Sequence, residues 1–172
     1  MKQRINTHTI SAYGILIALA LVFSYLESQI PTFFPIPGMK LGLTNIVVLL
    51  ALYKIGNTGA MAINVLRIIL VSLLFGGPSA FMYSLAGGML SAVVMILLKK
   101  TKLFRMVTVS IAGGVAHNIG QILVAMFAMN TVSIVWYLAV LWVSGMVSGA
   151  LIGLLGAELV RRLPDRLFRR EK

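Results

Sequence analysis

Apolar residues run along this chain in long stretches, broken by short polar or proline- and glycine-rich interruptions. The first stretch predicts a helix over about 8–27, from His8 to Glu27. After it, Pro31-Thr-Phe-Phe-Pro-Ile-Pro-Gly38 places three prolines and a glycine in eight residues, which cannot continue a helix. A second helix is predicted over about 40–54, short for a membrane span, and Asn57-Thr58-Gly59 marks a turn. Further helices are predicted over about 59–75, 79–98, 106–129 and 133–160. They are separated by Gly76-Gly77-Pro78-Ser79, the basic loop Lys99 to Arg105, and Asn130-Thr131. The tail, 161–172, is basic and amphipathic, a pattern that favours a membrane surface. Runs of this length point to lipid as the solvent. The expected fold is all-α: a single domain forming an integral membrane bundle of six transmembrane helices.

Composition agrees with the pattern. Of the 172 residues, 59% are hydrophobic and 11% charged, and the mean hydropathy is +0.98. A soluble domain carries about 25% charged residues. The segment Met1 to Asn6 is short and basic, and no small-residue cleavage site follows the first apolar run. That run reads as a retained helix, not a signal peptide. Charge placement then sets the expected orientation. Thirteen of the fifteen basic residues fall on one side of the predicted bundle; Lys40 falls on the other and Arg67 lies inside a helix. Basic loops stay in the cytoplasm, so both termini are expected there, in a cytoplasmic membrane. The net charge of +11 is thereby explained as topology signal and contact with anionic lipid, not nucleic acid.

Several chemistries are excluded. The chain has no cysteine, hence no disulfide or thiolate site. Its acids are Glu27, Glu158, Asp165 and Glu171, with no two within four residues, so an aspartate-rich magnesium cluster cannot form. No phosphate-binding loop of the G-x-x-x-x-G-K-[ST] kind occurs. The expectation is a protein without catalytic residues or cofactor.

The polar residues inside the predicted helices are the candidates for function. Arg67 sits about nine residues into the third helix, roughly 14 Å deep, where a charge costs about 2.5–3.5 kcal/mol on insertion scales. An internal salt bridge or carbonyl clamp, and contact with a solute, are both open readings. Asn64 lies three residues earlier on the same face. The fifth helix carries His117, Asn118 and Gln121; His117 and Gln121 share a face and lie level with Arg67. His117 has no second histidine or carboxylate at ligand spacing, so no metal is expected. Glu27 and Lys40 flank the external loop, where a simple surface ion pair and, for Lys40, a place in a solute site are both open readings, with Asn45 about a turn deeper. Phe33 and Phe34 suit either a lid or an interfacial anchor. In the sixth helix, Gly145, Gly149 and Gly153 recur every fourth residue, which allows close helix packing. In the first, Ser11, Gly14 and Ala18 make a second small-residue face, for internal packing or for docking another membrane subunit.

The segments Pro37-Gly-Met-Lys-Leu-Gly-Leu-Thr-Asn45, Leu66-Arg67, Leu74-Phe-Gly-Gly77, Tyr83-Ser-Leu-Ala-Gly-Gly88 and His117-Asn-Ile-Gly-Gln121 resemble the Gx transporter family, also labelled heptaprenyl diphosphate synthase component I. Members look like the substrate-binding S-components of energy-coupling factor transporters. The resemblance implies six helices with both ends inside and a vitamin-like solute bound near the outer face. It implies partners too: an energy-coupling transmembrane subunit and two ATPase subunits, docked through small residues of the first helix, here Ser11, Gly14 and Ala18. The carboxylate count speaks against prenyl condensation by this chain alone. The sequence thus reads as a substrate-binding membrane subunit. Lys40, Arg67 and His117 would make its cavity positive for an anionic or polar solute, and Asn45, Asn64, Asn118 and Gln121 would supply hydrogen bonds. The competing class is a non-catalytic accessory subunit for prenyl diphosphate or quinone biosynthesis.

Overall fold

The structure, a computed structural model, describes residues 7–29, 42–164 and 167–168, with side chains from Ile10 onward in the first helix. Among them there are six α-helices and no strand: α1 (Thr7–Gln29), α2 (Asn45–Lys54), α3 (Asn57–Phe75), α4 (Pro78–Thr101), α5 (Met106–Ala128) and α6 (Leu138–Arg162). A 3-10 stretch, Ser133–Tyr137, leads into α6, where the sequence suggested one continuous helix. Five helical stretches are long and apolar enough to cross a membrane.

The sixth, α2, differs from its expectation. It begins at Asn45 after a turn at residues 43–44 and has ten residues. That is about 15 Å of rise, half of a hydrocarbon core of about 30 Å. Every α2 residue but Tyr53 is buried, because α1, α3, α4 and α6 all pack against it. A helix enclosed in this way must satisfy its end groups from neighbours. At its amino end, the Glu27 carboxylate of α1 accepts the backbone N–H of Gly42 at 2.5 Å and of Leu43 at 3.4 Å. At its carboxyl end, the Lys99 ammonium of α4 donates to the Leu52 carbonyl and lies 5.0 Å from the Tyr53 ring centre. Lys54 donates to the Leu163 carbonyl at 2.7 Å. An acid at the positive end and cations at the negative end match the helix dipole.

Burial differs from that of a water-soluble domain. Leu73, Phe127 and Trp136 are 77%, 81% and 81% exposed, whereas Asn64, Ser91 and Gln121 are at most 1% exposed. Many large apolar side chains face outward, where lipid would meet them, while polar ones share the interior with an apolar core that includes Leu16, Leu49, Leu52 and Ile63. This is a multi-pass membrane protein.

Glycine sets the spacing of α5 and α6. A Cβ on Gly149 would sit 2.7 Å from Ile111 Cα, one on Gly145 2.9 Å from Gly114 O, and one on Gly153 2.8 Å from Val107 Cα. The glycine stripe is consumed by packing within the chain. The face of α1 behaves differently. Its buried stripe is Ala12, Leu16, Ala20, Ser24 and Glu27, whereas Ser11, Gly14 and Ala18 lie on the exposed side, and a Cβ on Gly14 would meet nothing within 4 Å.

Candidate functional site

Arg67 lies ten residues after the start of α3 and eight before its end, and His117 is eleven residues from either end of α5. Both are therefore near the middle of their spans. Through Asn45, the amino end of α2 reaches the same level. Its side-chain oxygen accepts from Arg67 Nη2 at 3.0 Å, and a Cβ on Gly42 would lie 3.8 Å from His117 Cδ2. The short helix thus starts at the centre of the bundle and runs toward one face only. Gly42 adopts φ +83°, a conformation that glycine takes without steric cost, and this lets the turn enter between α1 and α5.

Arg67 is 7% exposed and rigidly held. Its Nε and Nη2 both donate to Asn64 Oδ1, at 3.1 and 2.9 Å. Asn64 Nδ2 in turn donates to the Gly88 carbonyl of α4 at 3.0 Å. Gly87 and Gly88 make room for both sides of the site. A Cβ on Gly88 would lie 3.5 Å from Arg67 Nη2 and 2.9 Å from Ile68 Cδ1, and one on Gly87 would lie 2.8 Å from His117 O. Chains of this kind orient a buried guanidinium while leaving its remaining nitrogen, Nη1, for other contacts.

Arg67 and His117 border a cavity of about 20 Å³, lined by Ser24, Glu27, Gly42, Thr44, Arg67, Ile68, Val71, Ser84 and His117. That volume holds about one water molecule, so a solute enters only if the walls part. Ser24 and Thr44 hydroxyls meet at 2.9 Å, and the Thr44 hydroxyl is 3.5 Å from Glu27 Oε2. Glu27 and Arg67 both line this space without forming a direct ion pair.

The residues singled out from the sequence separate into groups. Arg67 and His117 line one cavity; Asn45 and Asn64 position Arg67 from α2 and from its own helix. Asn118 turns away and donates to the Leu141 carbonyl of α6 at 2.6 Å. Gln121 is buried against α4 beside Gly87 and does not line the cavity; its amide atoms have no hydrogen-bond partner among the described residues. Lys40, Phe33 and Phe34, and with them the Glu27–Lys40 pairing, lie outside the described residues. Glu27 itself is not a surface residue: it is 7% exposed and faces Arg67. Ser24, Glu27, Thr44 and Ser84 were not among the expected site residues. The sequence signal for Glu27 was an acid at the end of an apolar run, and for Ser24 its position one turn earlier on the same face.

A second hollow, of about 440 Å³, lies along α3 and the start of α4 and is lined by Ile69, Ser72, Leu73, Gly77, Pro78 and Phe81. It is apolar and open on the outer side of the bundle.

The family described as heptaprenyl diphosphate synthase component I matches residues 16–159. No curated protein and no solved structure matches this chain.

Proposed function

The chain belongs to the heptaprenyl diphosphate synthase component I family, and on that footing we propose that it is a non-catalytic, solute-binding subunit in the cytoplasmic membrane. The observation that carries this reading is the central cavity. A buried arginine, a buried glutamate and a histidine are costly in lipid, and the satisfaction of α2's amino end by Glu27 occupies its Oε1 alone. Here they converge with three hydroxyls on one space. Among the described residues the other acid is Glu158, exposed and paired with Arg162 at 2.6 Å, so the cavity offers one carboxylate and no metal-binding set. That suits binding better than condensation chemistry. The solute is proposed to be small and polar. Energy for its uptake would come from a transmembrane coupling subunit with two ATPase subunits.

The exposed Ser11–Gly14–Ala18 face of α1 is the proposed docking surface. Gly14→Leu or Ala18→Leu should abolish co-purification with such a coupling module, because close backbone approach drives helix association in lipid. A small molecule retained by the purified subunit should survive the same substitutions in native mass spectrometry, since the cavity faces the other side of α1. The family description favours a second reading, an accessory subunit of a prenyl diphosphate synthase. It takes over if the wild type captures only a soluble synthase and retains no small molecule.

The orientation proposed from basic loops places both termini and the α4–α5 loop in the cytoplasm. In intact cells, a cysteine at Thr101 should be shielded from a membrane-impermeant thiol reagent and one at Asn130 labelled. The opposite pattern would invert the topology.

A further inference from the structure

The charge balance of the cavity narrows the class of solute, given the solute-binding reading above. From sequence, Arg67, His117 and Lys40 suggest a positive site for an anion. The structure adds Glu27 to the cavity wall, buried to the same degree as Arg67. The remaining bonding capacity is also two-sided. Arg67 has Nε and Nη2 committed to Asn64 and Asn45, which leaves the two N–H donors of Nη1. Glu27 has Oε1 committed to the backbone of Gly42 and Leu43. Among the described residues, its Oε2 is met by the Thr44 hydroxyl at 3.5 Å, which leaves acceptor capacity there. Ile68 and Val71 supply an apolar wall.

We propose that this cavity, once its walls part, recognises a net-neutral zwitterion, with an anionic group toward Arg67, a cationic donor toward Glu27, and a short hydrocarbon spacer along Ile68 and Val71. A simple anion would pair with Arg67 but leave Glu27 facing a like charge, with the cavity one unit negative in a low-dielectric interior. A simple cation would do the reverse. A zwitterion leaves each buried charge paired and the net charge unchanged. Ser24, Thr44 and Ser84 hydroxyls, which rotate to donate or accept, then adjust to either end.

The test uses three matched probes: β-alanine, propionate and propylammonium. Each is added to the detergent-purified full chain, and thermal unfolding is followed. For the wild type, β-alanine should raise Tm, increasingly with the logarithm of its concentration, and the two singly charged probes should not. Glu27→Gln keeps an acceptor for the Gly42 N–H but removes the charge. It should weaken β-alanine by on the order of tenfold or more, the worth of one charged hydrogen bond, and make propionate the better ligand. If propionate or propylammonium stabilises the wild type as well as β-alanine does, the zwitterion assignment is wrong and the binding cavity stands. If no probe shifts the wild type, and propionate does not shift Glu27→Gln either, the cavity is not a solute site and the carrier reading falls with it.

Discussion

Replacing Arg67 with alanine is expected to lower stability by about 3–5 kcal/mol, the cost of leaving a buried charge uncompensated. The change strands Glu27 across the cavity and frees Asn45 Oδ1 and Asn64 Oδ1 from their donors. Thermal unfolding in detergent measures the loss, and native mass spectrometry should show that a retained small molecule is gone. Two further variants separate stability from recognition. Arg67→Lys keeps the charge but not the planar fork that reaches two asparagines at once; it should recover part of the stability and little of the binding. Glu27→Gln combined with Arg67→Gln removes both charges, and should be less destabilising than Arg67→Ala because no uncompensated charge remains. A double variant as unstable as the sum of its singles would show that the two residues are not coupled.

Gly149→Leu should prevent the bundle from forming. The obstacle to a side chain there is backbone, with Ile111 Cα at 2.7 Å and Ser110 O at 2.8 Å from the first added carbon. Backbone inside a helix cannot swing aside, so α5 and α6 must separate along their contact. Overpacking ordinarily costs about 1–3 kcal/mol; here the cost should exceed that and appear as aggregation on size-exclusion chromatography. Gly14→Leu is the internal control. It has the same chemistry and also sits in a lipid-embedded helix, but nothing lies within 4 Å of its new Cβ, so the protein should remain monodisperse. If both variants aggregate, helix propensity or insertion is at fault and the α5–α6 contact is not the cause.

The same contrast shows how far sequence reading reaches. Gly145, Gly149 and Gly153 and the pair Gly14 and Ala18 are similar small-residue patterns. One is packed against a neighbour and the other is turned outward, because only the first meets a complementary backbone. For the polar residues the sequence located Arg67 and His117 at one depth by counting residues at a fixed rise, and the structure places both on one cavity. It did not reveal that Asn118, one residue from His117, bonds to α6, or that Gln121 packs beside Gly87. Adjacent helical positions point about 100° apart, and small rotations of α5 between α4 and α6 decide which residue faces the cavity.

What the sequence determined by itself is the solvent and the class of fold. Long apolar runs with few charges point to lipid, where the backbone must bond to itself in helices or a closed barrel, and continuous apolar runs without alternation select helices. Their number follows from the prolines, glycines and basic loops between them. What only the tertiary structure decided is the half-length α2 and the charge of the site. A ten-residue helix starts at the centre of the bundle because Glu27 and Lys99, 18 residues before its first residue and 45 after its last, satisfy its two ends. Glu27, in turn, becomes the counter-charge to Arg67 only because α1 and α3 pack side by side. Such pairings join residues far apart in the chain. They are selected by the cost of leaving polar groups unsatisfied in an apolar interior, a cost that acts on the assembled bundle and leaves no local pattern in the sequence.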